Sequence, residues 1–101
     1  MEKTVFQALT AAEQEATIAF NIVAREQELF AYELNIDNYE TALATSDISP
    51  NWRKQLTEML AGETREREKS LTIYRILLTK IPAANIVAAL AAAKLAMQPK
   101  V

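Results

Sequence analysis

The hydrophobic positions of the first half of the chain fall into one long row. Ile18, Ile22, Leu29, Tyr32, Ile36, Tyr39 and Leu43 follow each other on steps of four and three once Arg25 is counted in, and Arg25 alone interrupts them. That spacing keeps side chains on one side of an α-helix and predicts a helix over residues 4–45. A second row, Val5, Leu9, Ala12, Ala16, Ala19 and Val23, runs beside the first. The stretch ATIAFNIVA (16–24) is therefore apolar around most of its circumference and has to be covered on more than one side. Two stretches, TAAE (10–13) and DNYE (37–40), have the form of a capping box. The pattern predicts continuity through the first and allows a kink at the second, where Asn35, Asp37 and Asn38 are poor residues for a helix interior.

SDISPNW (46–52) breaks the row. Ser49 is placed to cap a new helix and Pro50 to occupy its first turn, where a missing N–H costs nothing. The second helix is predicted over 50–80, with an apolar row of Trp52, Leu56, Met59, Leu60, Leu71, Tyr74, Leu77, Leu78 and Ile81. Pro82 disfavours helical geometry in the residue before it, so a separate, Ala-rich third helix is expected over 83–97. A loop of about four residues between the first two helices makes them antiparallel neighbours. Residues near 43 should then face residues near 54, and residues near 18 should face those near 79. The expected fold is all-α: one domain over 1–101, a long antiparallel helical hairpin with a short third helix, its bundle completed by oligomerisation.

Composition narrows the chemistry. Half of the 101 residues are apolar and 24% are charged, the balance of an ordinary folded protein. Neither cysteine nor histidine occurs, which excludes thiolate and imidazole metal sites and every nucleophile that relies on a histidine base. The beginning of the chain lacks the basic and apolar regions of a signal peptide. The most apolar run, IPAANIVAALAAAKLAM (81–97), is interrupted by Pro82, Asn85 and Lys94 and is shorter than the ~20 residues a bilayer needs. No membrane association is expected, and the cytoplasm is the default compartment.

The charge is divided. Residues 1–49 carry nine acids against Lys3 and Arg25, and residues 50–101 carry nine bases against four glutamates, within an overall net charge of −2. Such halves attract one another within a chain or between chains. Because an acidic partner is already present, nucleic-acid binding through the basic half, with Arg53 and Lys54 beside Trp52, ranks below protein contacts.

AGETREREKS (61–70) places six charges and the only glycine inside the second helix. Glu63 and Arg67 are spaced for an intrahelical ion pair, as are Glu66 and Lys69. The first reading is a solvated face. The second is a polar network of Arg25, Glu33, Glu63 and Arg67 that fixes the register of the hairpin. The third is a ligand site.

Asp37 with Glu40, and Glu63 with Glu66, give two pairs of carboxylates, each three residues apart, that could hold Mg²⁺ through oxygen. That layout resembles the all-helical nucleotide pyrophosphohydrolases of the MazG type, and the resemblance implies Mg²⁺-dependent hydrolysis by those four residues. Here the pairs come in the opposite order, and the leading double glutamate of that family is missing. The ExxH motif of ferritin-like di-iron bundles is absent for want of histidine.

The preferred reading is a non-enzymatic helical protein–protein interaction module without a cofactor. Its partner is expected to be itself, most simply in a homodimer, and otherwise another protein. Contact residues are expected in the seam and at the hairpin end: Ile18, Phe20, Ile22, Leu29, Tyr32 and Trp52. Trp52 serves either as a lid on the hairpin or as an anchor for a partner. Nucleotide hydrolysis and nucleic-acid binding are the second and third readings.

Overall fold

A computed structural model describes residues 1–98. It contains four helices, α1 (Lys3–Gln7), α2 (Ala11–Leu43), α3 (Pro50–Leu78) and α4 (Ile86–Met97), and no strand among the described residues. The α2 and α3 helices pack as an antiparallel hairpin. Cross-helix contacts join Leu43 to Arg53, Asn35 to Glu63, Glu33 to Arg67, Glu28 to Ser70 and Glu26 to Tyr74. This register lies within about one turn of that inferred from the length of the loop.

The first helix differs from its expected span of 4–45. The chain leaves the helix at residues 8–10 and begins again at Ala11, so TAAE is a break and DNYE is not. At the break the Thr10 N–H donates to Glu13 Oε1 (2.9 Å) and the Glu13 N–H donates to Thr10 Oγ1 (3.2 Å), a reciprocal capping box. Gln14 then donates to the carbonyls of Phe6 and Leu9, each at 3.2 Å. These bonds satisfy backbone groups that an interrupted helix would otherwise leave without partners. Helix α2 passes through DNYE unbroken because Ile36 and Tyr39 are half-buried there, and packing outweighs the modest propensity cost of Asp37 and Asn38.

At the other boundaries, Ser49 Oγ accepts from the Trp52 N–H at 3.1 Å, and Pro50 opens α3 as its cap requires. Helix α3 stops at Leu78, two residues before its expected end. Pro82 precedes a turn at residues 83–85, and α4 starts at Ile86 rather than at 83.

The chain packs as two compact units. One comprises Met1–Glu26 with the chain from Ile73 onward, the other Gln27–Thr72. In the first unit Ala19, Ile22, Val23, Ile81 and Ala93 form a buried cluster, with Ile18, Tyr74, Leu77, Leu78, Ile86 and Leu90 packed around it. Helix α4 runs parallel to α2, because Asn85 bonds Glu15 near the start of both helices and Lys94 approaches Glu26 at 3.7 Å further along. In the second unit Leu56 is the buried apolar residue and Ser70 the buried polar one, and half-buried Leu29, Ile36, Leu43 and Leu60 share the seam with Glu28, Glu63 and Arg67. No helix among the described residues is long and apolar enough to cross a membrane.

Gly62 lies inside α3, and a methyl group at its Cα would meet no atom within 4 Å. Gly62→Ala is expected to stabilise the protein by about 0.5–1 kcal/mol, by removing backbone freedom from the unfolded chain. Thermal unfolding followed by circular dichroism should show a rise in Tm of about 3–6 °C for a domain of this size.

Candidate functional site

Three features of the hairpin and α4 gather polar or exposed groups: the polar seam between α2 and α3, the turn, and a groove along α4. In the seam, Arg67 Nη2 reaches Glu33 Oε1 at 3.1 Å while Nη1 approaches Glu68 Oε1 at 3.3 Å. Sequence spacing makes Glu63 the intrahelical partner of Arg67, but Arg67 turns to the other helix. Glu63 accepts from Asn35 Nδ2 at 3.2 Å. The expected pair of Glu66 and Lys69 forms at 3.3 Å. Two residues of the proposed register-setting network, Glu33 and Arg67, are thus brought into direct contact across the hairpin. Arg25 is half-buried in the other unit. The side chains of Glu33, Glu66, Glu68 and Lys69 are at least half exposed, so their ion pairs are screened and contribute little each.

The carboxylates read as a Mg²⁺ site do not come together as one. Among the described residues no group of three or more Asp or Glu side chains is placed to hold a metal ion. Of the four, Glu63 is engaged by Asn35 and Glu66 by Lys69. This corrects the expectation drawn from the resemblance to MazG-type hydrolases: the spacing puts each pair on a helix, but the hairpin register does not bring the two pairs into a common coordination sphere.

Sequence reasoning missed the more enclosed polar cluster. Glu28 Oε1 accepts from the Tyr32 hydroxyl at 3.0 Å, and Glu28 Oε2 accepts from the Ser70 hydroxyl at 3.1 Å, with Ser70 itself buried. Glu28 and Tyr32 are one helical turn apart, a signal the sequence carried. Ser70 falls on the apolar row of α3, between Arg67 and Tyr74, where its size hid its role. In the other unit the Tyr74 hydroxyl donates to Glu26 at 3.1 Å. Burial, then this hydrogen bond, raises the Tyr74 pKa, and the bond to Glu28 raises that of Tyr32. Glu13 is held below the ordinary carboxylate range by the backbone N–H of Thr10 and then by its hydroxyl. These bonds hold the phenols protonated near neutral pH and do not ready them for proton transfer.

At the turn, Arg53 donates to the Leu43 carbonyl at 2.9 Å and to the Thr45 carbonyl at 3.3 Å. Its guanidinium thus satisfies orphan acceptors at the C-terminal end of α2 and complements the helix dipole.

The six seam and hairpin-end residues expected to contact a partner separate in the structure. Ile22 is wholly buried in the chain's own core, a correction to its expected place on a contact surface, since α3 and α4 already cover it. Ile18 packs half-buried against the same core, and Leu29 and Tyr32 are half-buried in α2. Phe20 and Trp52 remain exposed, at 42% and 43%.

Phe20 borders a groove between α2 and α4 with a cavity volume of about 590 Å³, walled mainly by alanine. Four-residue steps place Ala12, Ala16 and Phe20 along α2, and Ala88, Ala92 and Ala96 along α4 with Ala84 in the turn before it. No protein family matches the chain, and no curated protein or solved structure matches it.

Proposed function

We propose that the protein is a non-enzymatic helical interaction module that works as a homo-oligomer, most simply a homodimer, in the cytoplasm. The observation that carries this reading is the distribution of large apolar side chains among the described residues. Eleven are exposed, Phe20, Phe30, Trp52, Val87 and Leu95 among them, against six buried apolar residues, two of which are alanine. Exposed apolar surface beyond scattered single residues marks places where another molecule binds. A symmetric pairing covers such a surface without requiring a second gene product. The divided charge of the chain supports the same reading, because acidic and basic halves steer copies into one relative orientation.

The test is the native mass by light scattering behind a sizing column, at low and at moderate salt. Twice the 11.3 kDa chain at both salts is the expected result. A monomer at both salts overturns the homo-oligomer.

A further inference from the structure

We infer that residues 1–10 are a strap folded back against the start of α2, and that the strap opens by running on into α2 as one continuous helix. The break at residues 8–10 is then a hinge between two states. The device lies wholly within the first unit and goes beyond the homo-oligomer reading, because it needs no second molecule.

In the closed state Met1 and Leu9 line one cavity, of about 460 Å³, with Ala16, Thr17, Phe20 and Asn21. On a straight helix Met1 and Asn21 would stand about 30 Å apart, so the strap doubles back along α2. Its grip is slight. No residue of α1 is buried, Val5 is 51% exposed, and of the first ten residues only Phe6 and Leu9 are half-buried. Segments that bury so little open at low free energy.

The helical phase of the sequence belongs to the open state. Val5, Leu9, Ala12, Ala16, Ala19 and Val23 keep their steps of four and three straight through the break. The closed state interrupts that row at the hinge, whereas a continuous helix carries it from Val5 to Val23. The backbone offers no obstacle to the change. No glycine or proline precedes Pro50, Ala8 keeps a right-handed helical conformation, and no described residue outside glycine has a positive φ. The two states therefore differ mainly at Leu9 and Thr10.

The hydrogen bonds of the two states come close to balance. A continuous helix pairs the N–H groups of Thr10, Ala11, Ala12 and Glu13 with the carbonyls of Phe6, Gln7, Ala8 and Leu9. In the closed state three side chains stand in: Glu13 accepts from the Thr10 N–H, Thr10 from the Glu13 N–H, and Gln14 donates to the carbonyls of Phe6 and Leu9. Opening exchanges these partners for backbone ones, so the three side chains, and not burial, set the equilibrium. Opening also withdraws Met1 and Leu9 from the flank of Phe20, and the strap thereby sets how much of that face another molecule can reach.

The chain has no cysteine, so spin labels attached through Lys3→Cys and Ala24→Cys, both at exposed positions, report the hinge without further changes. Pulsed dipolar spectroscopy on labelled chain diluted with unlabelled chain reads distances within one molecule. The closed state gives a short distance and the open state one of about 32 Å. Thr10→Ala with Glu13→Ala removes the capping box and should raise the ratio of open to closed about tenfold, with helical Cα chemical shifts at residues 8–12. Ala11→Pro should abolish the long distance, because proline suits the first position of α2 and cannot donate to Gln7. A capping-box variant that keeps the short distance, or that spreads over many distances with coil shifts at residues 8–12, would overturn the hinge. So would a long distance that survives Ala11→Pro.

Discussion

Ile22→Ala is expected to cost about 3 kcal/mol of folding stability, the largest loss foreseen for a single truncation in this chain. Ile22 is the large side chain with no exposure at all, and it sits at the centre of the cluster formed with Ala19, Val23, Ile81 and Ala93. Two of those four neighbours are alanine, which has no rotamers with which to move into a void. The cavity therefore persists, and its cost adds to the lost transfer energy of the removed methyl and methylene groups. Small domains have only about 5–15 kcal/mol of total stability, so a loss of this size should lower Tm by more than about 10 °C. Urea unfolding followed at 222 nm gives the value directly. Ile22→Val should lose about 1 kcal/mol, and a loss for alanine no larger than that would mean that the cluster closes over the void.

The second large effect is expected at Leu56, in the Gln27–Thr72 unit. Leu56 is 2% exposed and is the buried apolar residue there, beside a seam made by Glu28, Ser70, Glu33, Arg67, Asn35 and Glu63. Exposed ion pairs and hydrogen bonds each contribute little net stability, so the hydrophobic share of this unit falls on Leu56 and the half-buried side chains around it, such as Leu29, Ile36, Leu43 and Leu60. Leu56→Ala should cost about 2–3 kcal/mol. The opening should also be local, because units with few buried contacts unfold at lower free energy than the rest of a protein. Native-state hydrogen exchange would show lost protection in the turn and the first half of α3, with the amides around Ile81 and Ala93 retained. Equal loss at both places would show that the two units open as one.

The hairpin was legible in the sequence because its signals are local. The four-and-three spacing of the seam, the Ser49–Pro50 start and the short loop each constrain the backbone directly, and together they set the register. Pro82 likewise announced the separation of α4. The break in the first helix was the harder choice, since TAAE and DNYE offer the same capping chemistry. What separates them is tertiary: the half-buried Ile36 and Tyr39 hold the helix through DNYE, whereas at residues 8–10 Gln14 satisfies the freed carbonyls. The groove was less legible for the same reason. A row of alanines every four residues is visible from Ala84 onward, but its alignment with Ala12 and Ala16 depends on α4 lying parallel to α2, a contact between residues 70 positions apart. Arg67 belongs with these cases, because spacing alone offered it Glu63 while the fold offered it Glu33.

The placement of the core also shapes the route by which the chain folds. Arg53 and Leu43 are ten positions apart, so the turn closes at small entropic cost, yet little apolar surface is buried there in return. The contacts that bury Ile22 and Ala93 depend on segments separated by 48 to 70 positions, as the bonds of Glu26 with Tyr74 and Glu15 with Asn85 mark. Most of the ordering entropy is spent before the main hydrophobic gain arrives, and a zipped hairpin without α4 has little to hold it. The docking of the last helix is therefore the expected rate-limiting step, and substitutions in α4 are expected to slow refolding in stopped-flow experiments more than they speed unfolding.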